Sequence, residues 1–280
     1  MNSDLHPEEF AVFRKFLADS CGILLSESKQ YLVKNRLSGL LRESDFASIA
    51  QLIAALKNGA VPARLRTRII DAMTTNETFW FRDNAHFVEL RNILLPAWAA
   101  NNTGGTLRIW SAACSSGQEP YSIGICVEEF FRYGWTGIKR NVQIIGTDIS
   151  ESVLAEATQA VYSEMALSRG LDETLKSRYF ERYQDKWKLK PEVAGRVRFQ
   201  QFNLLKPFTA LGRFDVVFCR NVLIYFSEEL KRDILARIAG VLNPGGYLFL
   251  SSTESLPSGL DSYETVRSAT CRYYRLKPAF

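Results

Sequence analysis

The chain reads LRIWSAACSSGQEPYSIGICVEEF from Leu107 to Phe130. Leu107 to Ala112 is a strand-length run rich in β-branched and aromatic residues, and Tyr121 to Phe131 carries its apolar residues at helical spacing. Working outward, the same alternation continues. VQIIGTD (142–148), VRFQQF (197–202), FDVVFC (214–219) and YLFLSS (247–252) read as strands, with helical patterns over Ser152 to Ala160 and Glu228 to Leu242. Strands alternating with helices specify a parallel sheet covered by helices. The pair YETV and TCRYYRL near the end has no intervening helix and predicts an antiparallel hairpin at a sheet edge. NPGG at 243–246 predicts a helix stop followed by a turn.

Two regions depart from this rhythm. From Pro7 to about Met73 the apolar residues Phe10, Phe13, Leu17, Leu32, Val33, Leu37, Leu40 and Leu41 fall at three- and four-residue spacing, as in a bundle of short amphipathic helices. From about Met165 to Val197 a charged stretch interrupts the alternation; it is too long for an ordinary loop and predicts a small excursion beside the sheet. The expected organisation is a helical part over 1–75, a connecting segment over 76–100, and a sheet domain over 101–280 with an insert at about 165–200.

Composition excludes several function classes. The 280 residues are 46% hydrophobic and 23% charged, as in a globular protein. There is no run of 18 uncharged apolar residues, and the N-terminus MNSDLHPEEF is acidic where a signal peptide would be basic, so the expected location is the cytoplasm, without membrane insertion. Five cysteines without a CxxC pair, and only His6 and His86 as histidines, argue against a disulfide framework and a metal centre. A net charge of +5 is too mild to argue for nucleic acid.

In an open α/β sheet, ligands bind at the carboxyl ends of the strands. The loop there, Ala113 to Pro120, has one glycine, Gly117. It lacks the GxGxxG turn a dinucleotide needs, and no GxxxxGK[ST] occurs for ATP. A nucleoside ligand without phosphates remains, and S-adenosylmethionine fits. Asp148, ending the second strand, is the candidate for the ribose hydroxyls; a helix N-cap is the competing reading. Two acid-free basic stretches, one with Lys34, Arg36 and Arg42 and one with Lys57, Arg64, Arg66 and Arg68, are either solvated faces or a docking surface for an acidic partner.

The segment Asn76-Glu77-Thr78-Phe79-Trp80-Phe81-Arg82, the Cys114 to Ser122 loop, Asp148, Asn203-Leu204-Leu205 and Cys219 to Phe226, in that order, resemble the CheR family of chemoreceptor glutamate methyltransferases. The resemblance implies a class I, Rossmann-like methyltransferase sheet with a small inserted β-subdomain and an all-α N-terminal domain. It implies S-adenosylmethionine as cofactor, S-adenosylhomocysteine as product, and chemoreceptor glutamates as acceptors, esterified in chemotactic adaptation. Carried over by position, Asn76, Thr78, Arg82, Glu119, Asp148, Asn203, Leu204, Arg220 and Asn221 match cofactor-binding residues. Arg82 and Tyr225 match the pair nearest the transferred methyl. With a chemoreceptor as partner, the face bearing Lys34, Arg36 and Arg42 would meet its paired glutamates. The enzyme is expected to be a monomer. Glu181 to Arg198 is shorter than in relatives that dock on a receptor's C-terminal tail, which favours tail-independent docking. The alternative is a non-catalytic receptor- or cofactor-sensing module of the same fold. An ionised glutamate needs no general base, so scarce histidine is no obstacle.

Overall fold

The computed structural model describes residues 5–101, 105–133 and 141–278. The chain forms two compact units: Met1–Thr75 with Tyr225–Leu230, and Asn76–Ile224 with Lys231–Phe280.

The first unit is helical, with α1 (Pro7–Cys21), α2 (Gln30–Arg42), α3 (Ile49–Lys57) and α4 (Ala63–Met73). Phe10, Phe13, Phe16, Leu17 and Cys21 recur every three to four residues and form the buried stripe of α1. The helix stops at Gly22, whose φ of 78° suits glycine. The Ser48 side chain caps α3 by accepting from the Gln51 N–H at 3.2 Å. The Arg36 guanidinium donates to the carbonyls of Met73 and Thr74, at 2.7 and 2.8 Å, and to Thr75 Oγ1 at 3.1 Å. It therefore closes the end of α4. The Tyr225 carbonyl accepts from the Leu24 N–H at 2.9 Å, which ties residue 225 into this unit.

The second unit opens with α5 (Ala85–Glu89), a π-helical turn (Leu90–Leu94) and α6 (Leu95–Asn101). The sheet strands are β1 (Leu107–Ala112), β2 (Val142–Asp148), β6 (Val197–Gln201), β7 (Phe214–Cys219), β8 (Leu242–Phe249), β9 (Tyr263–Arg267) and β10 (Arg272–Leu276). Around it lie α7 (Gln118–Tyr133), α8 (Glu151–Gln159) and α12 (Glu228–Val241). The insert holds β3 (Val161–Tyr162), α9 (Glu164–Ser168), α10 (Glu173–Tyr179), β4 (Phe180–Tyr183), β5 (Lys186–Leu189) and α11 (Pro191–Ala194).

The seven-stranded sheet runs in the order β6-β2-β1-β7-β8-β10-β9, parallel from β6 to β8 and antiparallel through β10 and β9. Its central strands β1 and β7 are buried along almost their whole length, as strands covered on both faces must be. A stack of Phe218, Phe249 and Tyr273, with ring centroids 4.7 and 5.1 Å apart, runs across β7, β8 and β10. Trp110 is fully buried against Phe208 and Phe214, and its Nε1 donates to Thr147 Oγ1 at 2.9 Å. Trp110 is thus a packing residue.

One expectation changes in part, and the inserted β-subdomain is borne out. NPGG lies inside β8 rather than ahead of it: Phe214 pairs with Leu242 and Val216 with Tyr247, so residues 243–246 bulge out of the ladder, with Gly245 at φ 74°. The charged stretch forms a second sheet, β3-β5-β4, turning at Gln184 with φ 55° where a glycine would be ordinary. Both strands of that hairpin are mostly exposed, which explains their polar sequence.

Candidate functional site

Strands β1, β2 and β6 build outward in one direction and β7 and β8 in the other, so the sheet reverses between β1 and β7. The crevice at their carboxyl ends is where such sheets bind ligands. The loop after β1 is tight: Ala113, Ser115 and Gly117 have φ of 57°, 51° and 92°. Gly117 is doubly constrained, since a Cβ there would stand 3.0 Å from Ala157 Cβ and 3.1 Å from the Tyr121 ring.

Asp148 joins two loops. Its buried carboxylate accepts from the Ser115 N–H at 2.8 Å and from the Ser150 N–H at 3.0 Å. The N-cap of α8 is Ser150, which accepts from the Val153 N–H, so the competing capping reading of Asp148 falls away. Ser115 Oγ donates to the Asn76 carbonyl at 2.8 Å and fixes the start of the 76–82 segment against the β1 loop. The Phe202 N–H donates to the Asp148 carbonyl at 2.8 Å, placing the loop after β6 beside it. There Asn203 Oδ1 accepts from the Leu205 N–H at 2.9 Å, and Leu204 is buried.

Glu119, in the first turn of α7, accepts from Ser111 Oγ at 2.7 Å and from Arg220 at 2.8 Å. Arg220, with only 1% of its side chain exposed, also donates to Asp83 Oδ2 at 2.8 Å and to the Arg82 carbonyl. One guanidinium thus ties together α7, the β7 tip and the chain at residues 82 and 83. Phe81 and Asp83 have φ of 49° and 54°, so Arg82 sits between two left-handed residues held by this network. Its own guanidinium donates to the Glu77 carbonyl at 3.1 Å and lies 5.3 Å from the Phe79 ring centre. Thr78 is half-buried nearby in sequence.

Burial pushes the Asp83 carboxyl up, but the charge and hydrogen bond of Arg220 and the Ser252 backbone outweigh it and hold it below its usual value. His86 is buried and its pKa falls to about 4, through burial first and the positive charge of Arg220 second. Burial, with the Asp148 and Glu119 charges, drives the Cys114 thiol well up. At neutral pH the tips therefore present a neutral imidazole, a protonated thiol and the ionised Asp83 carboxylate.

Asn221 is left-handed, φ 58°, and its N–H donates to Glu254 at 2.8 Å; the Leu223 N–H donates to the same carboxylate at 2.9 Å. Asp83 and Glu254 were not singled out from the sequence. The former directly follows Arg82, and the latter follows the strand-like YLFLSS. The hydrogen bonds fall into three groups at the strand tips: Asn76 and Asp148 meet at Ser115, Arg220 joins Glu119 to the Arg82 carbonyl and Asp83, and Glu254 holds Asn221; Asn203 and Leu204 lie in the loop whose Phe202 N–H bonds to Asp148. Tyr225 belongs to the helical unit. Of the basic residues there, Arg42 is exposed, Lys34 half-buried, and Arg36 engaged with the end of α4.

Residues 76–272 match the CheR methyltransferase SAM binding domain, and residues 8–74 match the CheR methyltransferase all-alpha domain. The chemotaxis protein methyltransferase Cher2 of Pseudomonas putida is 46% identical over 271 residues, covering 96% of this chain and 98% of that protein. Chemotaxis protein methyltransferase 1 of Pseudomonas aeruginosa is 46% identical over 270 residues, with the same coverage. The chemotaxis protein methyltransferase of Vibrio parahaemolyticus is 44% identical, covering 96% of this chain and 97% of that protein. With both family domains spanning nearly its whole length, the chain belongs to the CheR family of S-adenosylmethionine-dependent methyltransferases.

Proposed function

We propose that the chain transfers a methyl group from S-adenosylmethionine to the side-chain carboxylate of specific glutamates in the cytoplasmic helices of chemoreceptors. The products are glutamate methyl esters, which serve chemotactic adaptation, and S-adenosylhomocysteine. The observation that carries this reading is the Glu119–Arg220–Asp83 network, which fastens the Arg82 backbone to the strand tips beside the Asp148 loop.

The residues fit a cationic nucleoside: Asp148, buried at the end of β2, stands where a ribose is gripped, and the half-buried Glu119 puts a carboxylate in the first turn of α7, where it would repel a phosphate. In this reading Asp148 accepts from the ribose hydroxyls, and Asn203 and Leu204 flank the base. Asn76 and Thr78 line the segment between the β1 loop and Arg82, and Asn221 lines the loop at the reactive end. The cofactor supplies an activated methyl on a sulfonium. The acceptor glutamate, ordinary pKa about 4.3, is already ionised at neutral pH, so no residue has to remove a proton. The chain's tasks are to align the carboxylate in line with the methyl and to exclude water, since both reacting charges are lost. Arg82 holds one acceptor oxygen, and the Tyr225 hydroxyl orients the other. Arg220 has its donors occupied by Glu119, Asp83 and the Arg82 carbonyl, so it positions Arg82.

The organisation that goes with this reading is a helical receptor-docking part over 1–75, a connecting segment over 76–100 and a catalytic domain over 101–280, acting as a cytoplasmic monomer. Among the described residues no helix is long and apolar enough to cross a membrane. Because Arg36 is engaged within its own unit, Lys34 and Arg42 are the cations left for an acidic receptor face. Incubation with methyl-labelled cofactor and a receptor cytoplasmic fragment should place the label in a base-labile ester. Label that resists base, or none in the receptor, overturns the proposal.

A further inference from the structure

On the far side of the β7 tip from Asp148, the ends of β8, β9 and β10 surround a second concavity of about 470 Å3. Asp83, His86, Ser252, Arg267, Thr270 and Arg272 line it. Its charges are unevenly satisfied. Asp83 receives Arg220, and Glu254 receives the N–H groups of Asn221, Leu223 and Ser251. Both acids are therefore occupied from within the protein.

The cations are not. Arg267 and Arg272 stand directly opposite each other in the β9–β10 register, a pairing of like charges that costs stability in a sheet. Among the described residues the Arg267 guanidinium has no hydrogen-bond or ion-pair partner, and the Arg272 guanidinium has one long bond, 3.3 Å, to the Glu254 carbonyl. At the inner wall His86 is 4% exposed, and its Nδ1 is buried with no hydrogen-bond partner. A wall of hydroxyls, the unengaged Arg267 guanidinium, the Arg272 guanidinium with its single long bond, and an unsatisfied imidazole together form a site for an anion with several acceptor atoms.

Position identifies the anion's source. Asp83 lines this cleft and directly follows Arg82, and Arg220 bonds to both residues. The cleft is thus one residue removed from the proposed methyl-transfer point, on the side of the sheet away from Asp148. We infer that this cleft binds a carboxylate side chain of the acceptor protein, one that neighbours the methylated glutamate and is not itself methylated, with Arg267 and Arg272 as its specificity-determining cations. The inference rests on the proposed function and extends it: the enzyme selects a glutamate by the acidic residue beside it.

The test compares two receptor cytoplasmic fragments, one native and one in which every carboxylate within a helical turn of the methylated glutamate is changed to the amide. Arg267→Glu should raise KM for the native fragment about tenfold, with kcat and cofactor affinity within about twofold of wild type, while Arg267→Lys stays near wild type. On the amide fragment the penalty of Arg267→Glu should shrink to less than about threefold, because the charge it repels is gone. An unchanged KM, or an equal penalty on both fragments, overturns the assignment while the proposed function stands. A wild-type chain that binds cofactor but esterifies neither fragment overturns the proposed function, and the cleft assignment with it.

Discussion

Two charged clusters in the second unit invite comparison: Arg220 with Glu119 and Asp83 at the strand tips, and Lys176 with Glu164 and Glu173 in the small sheet's insert. Each joins one cation to two carboxylates, and Glu164 further accepts from Trp187 at 2.6 Å and lies 4.0 Å from Arg182. The Arg220 side chain is 1% exposed and its partners are 14% and 29% exposed, whereas Glu164 and Glu173 are 54% and 85% exposed. Water can replace Lys176 at its acids, but it cannot reach Arg220. The chemistry of the two clusters is nearly the same, so solvent access decides which one the fold depends on.

The difference can be broken deliberately. Arg220→Met should have the largest effect, about 3–5 kcal/mol of unfolding free energy by denaturant titration, because it leaves the largely buried Glu119 without its charge partner and removes the cation bonded to Asp83. A loss comparable to that of a surface substitution would remove the contrast. Arg82→Ala tests the same frame from its functional side. Among the described residues its guanidinium has no carboxylate partner and donates one hydrogen bond, to the Glu77 carbonyl, so folding should persist while single-turnover methyl transfer falls by about two to three orders of magnitude. Near-normal transfer would remove Arg82 from the reaction.

The pH dependence sharpens the comparison, because His86 faces Arg220, Asp83 and the Phe249 ring. Its folded-state pKa of about 4 lies below the unfolded value near 6.5, so between these values the unfolded chain binds the extra proton. Stability should therefore fall as pH drops from about 6.5 to 4, by roughly 3 kcal/mol from this group. His86→Phe should flatten that slope. Asp148→Ala should weaken cofactor binding by about 1–3 kcal/mol in calorimetry, since it removes an acceptor from a buried site. Glu164→Gln, in the exposed cluster, should leave the thermal midpoint unresolved from wild type, and a shift of several degrees would show that exposure is a poor guide here.

The sheet was legible because its signal is local. Leu107–Ala112, Val142–Asp148 and Phe214–Cys219 are mainly apolar runs without strict alternation, and a strand buried on both faces is written that way. By its residue pattern the insert shows only as an interruption, because an exposed hairpin places no hydrophobic demand on its residues, and its β character came from the resemblance. NPGG was misplaced for a related reason: proline and glycine announce a break in the chain, but whether the break precedes a strand or bulges within it depends on the partner strand. Among site residues, those in contiguous motifs stood out. Asp83 and Glu254 did not, since their partners Arg220, Asn221 and Leu223 lie far away in sequence.

By itself the sequence determined the alternation of strands and helices, the absence of a phosphate-binding glycine loop, and the order of the motifs that place the chain in its family. These depend on which residue types stand side by side. Tertiary structure alone decided that Arg220 is a buried strut, that Arg36 closes a helix end, and that Arg267 and Arg272 face each other across a hairpin without an acid between them. An arginine reads the same in any sequence; its role follows from which acceptors the fold brings within reach and how much water it leaves beside them.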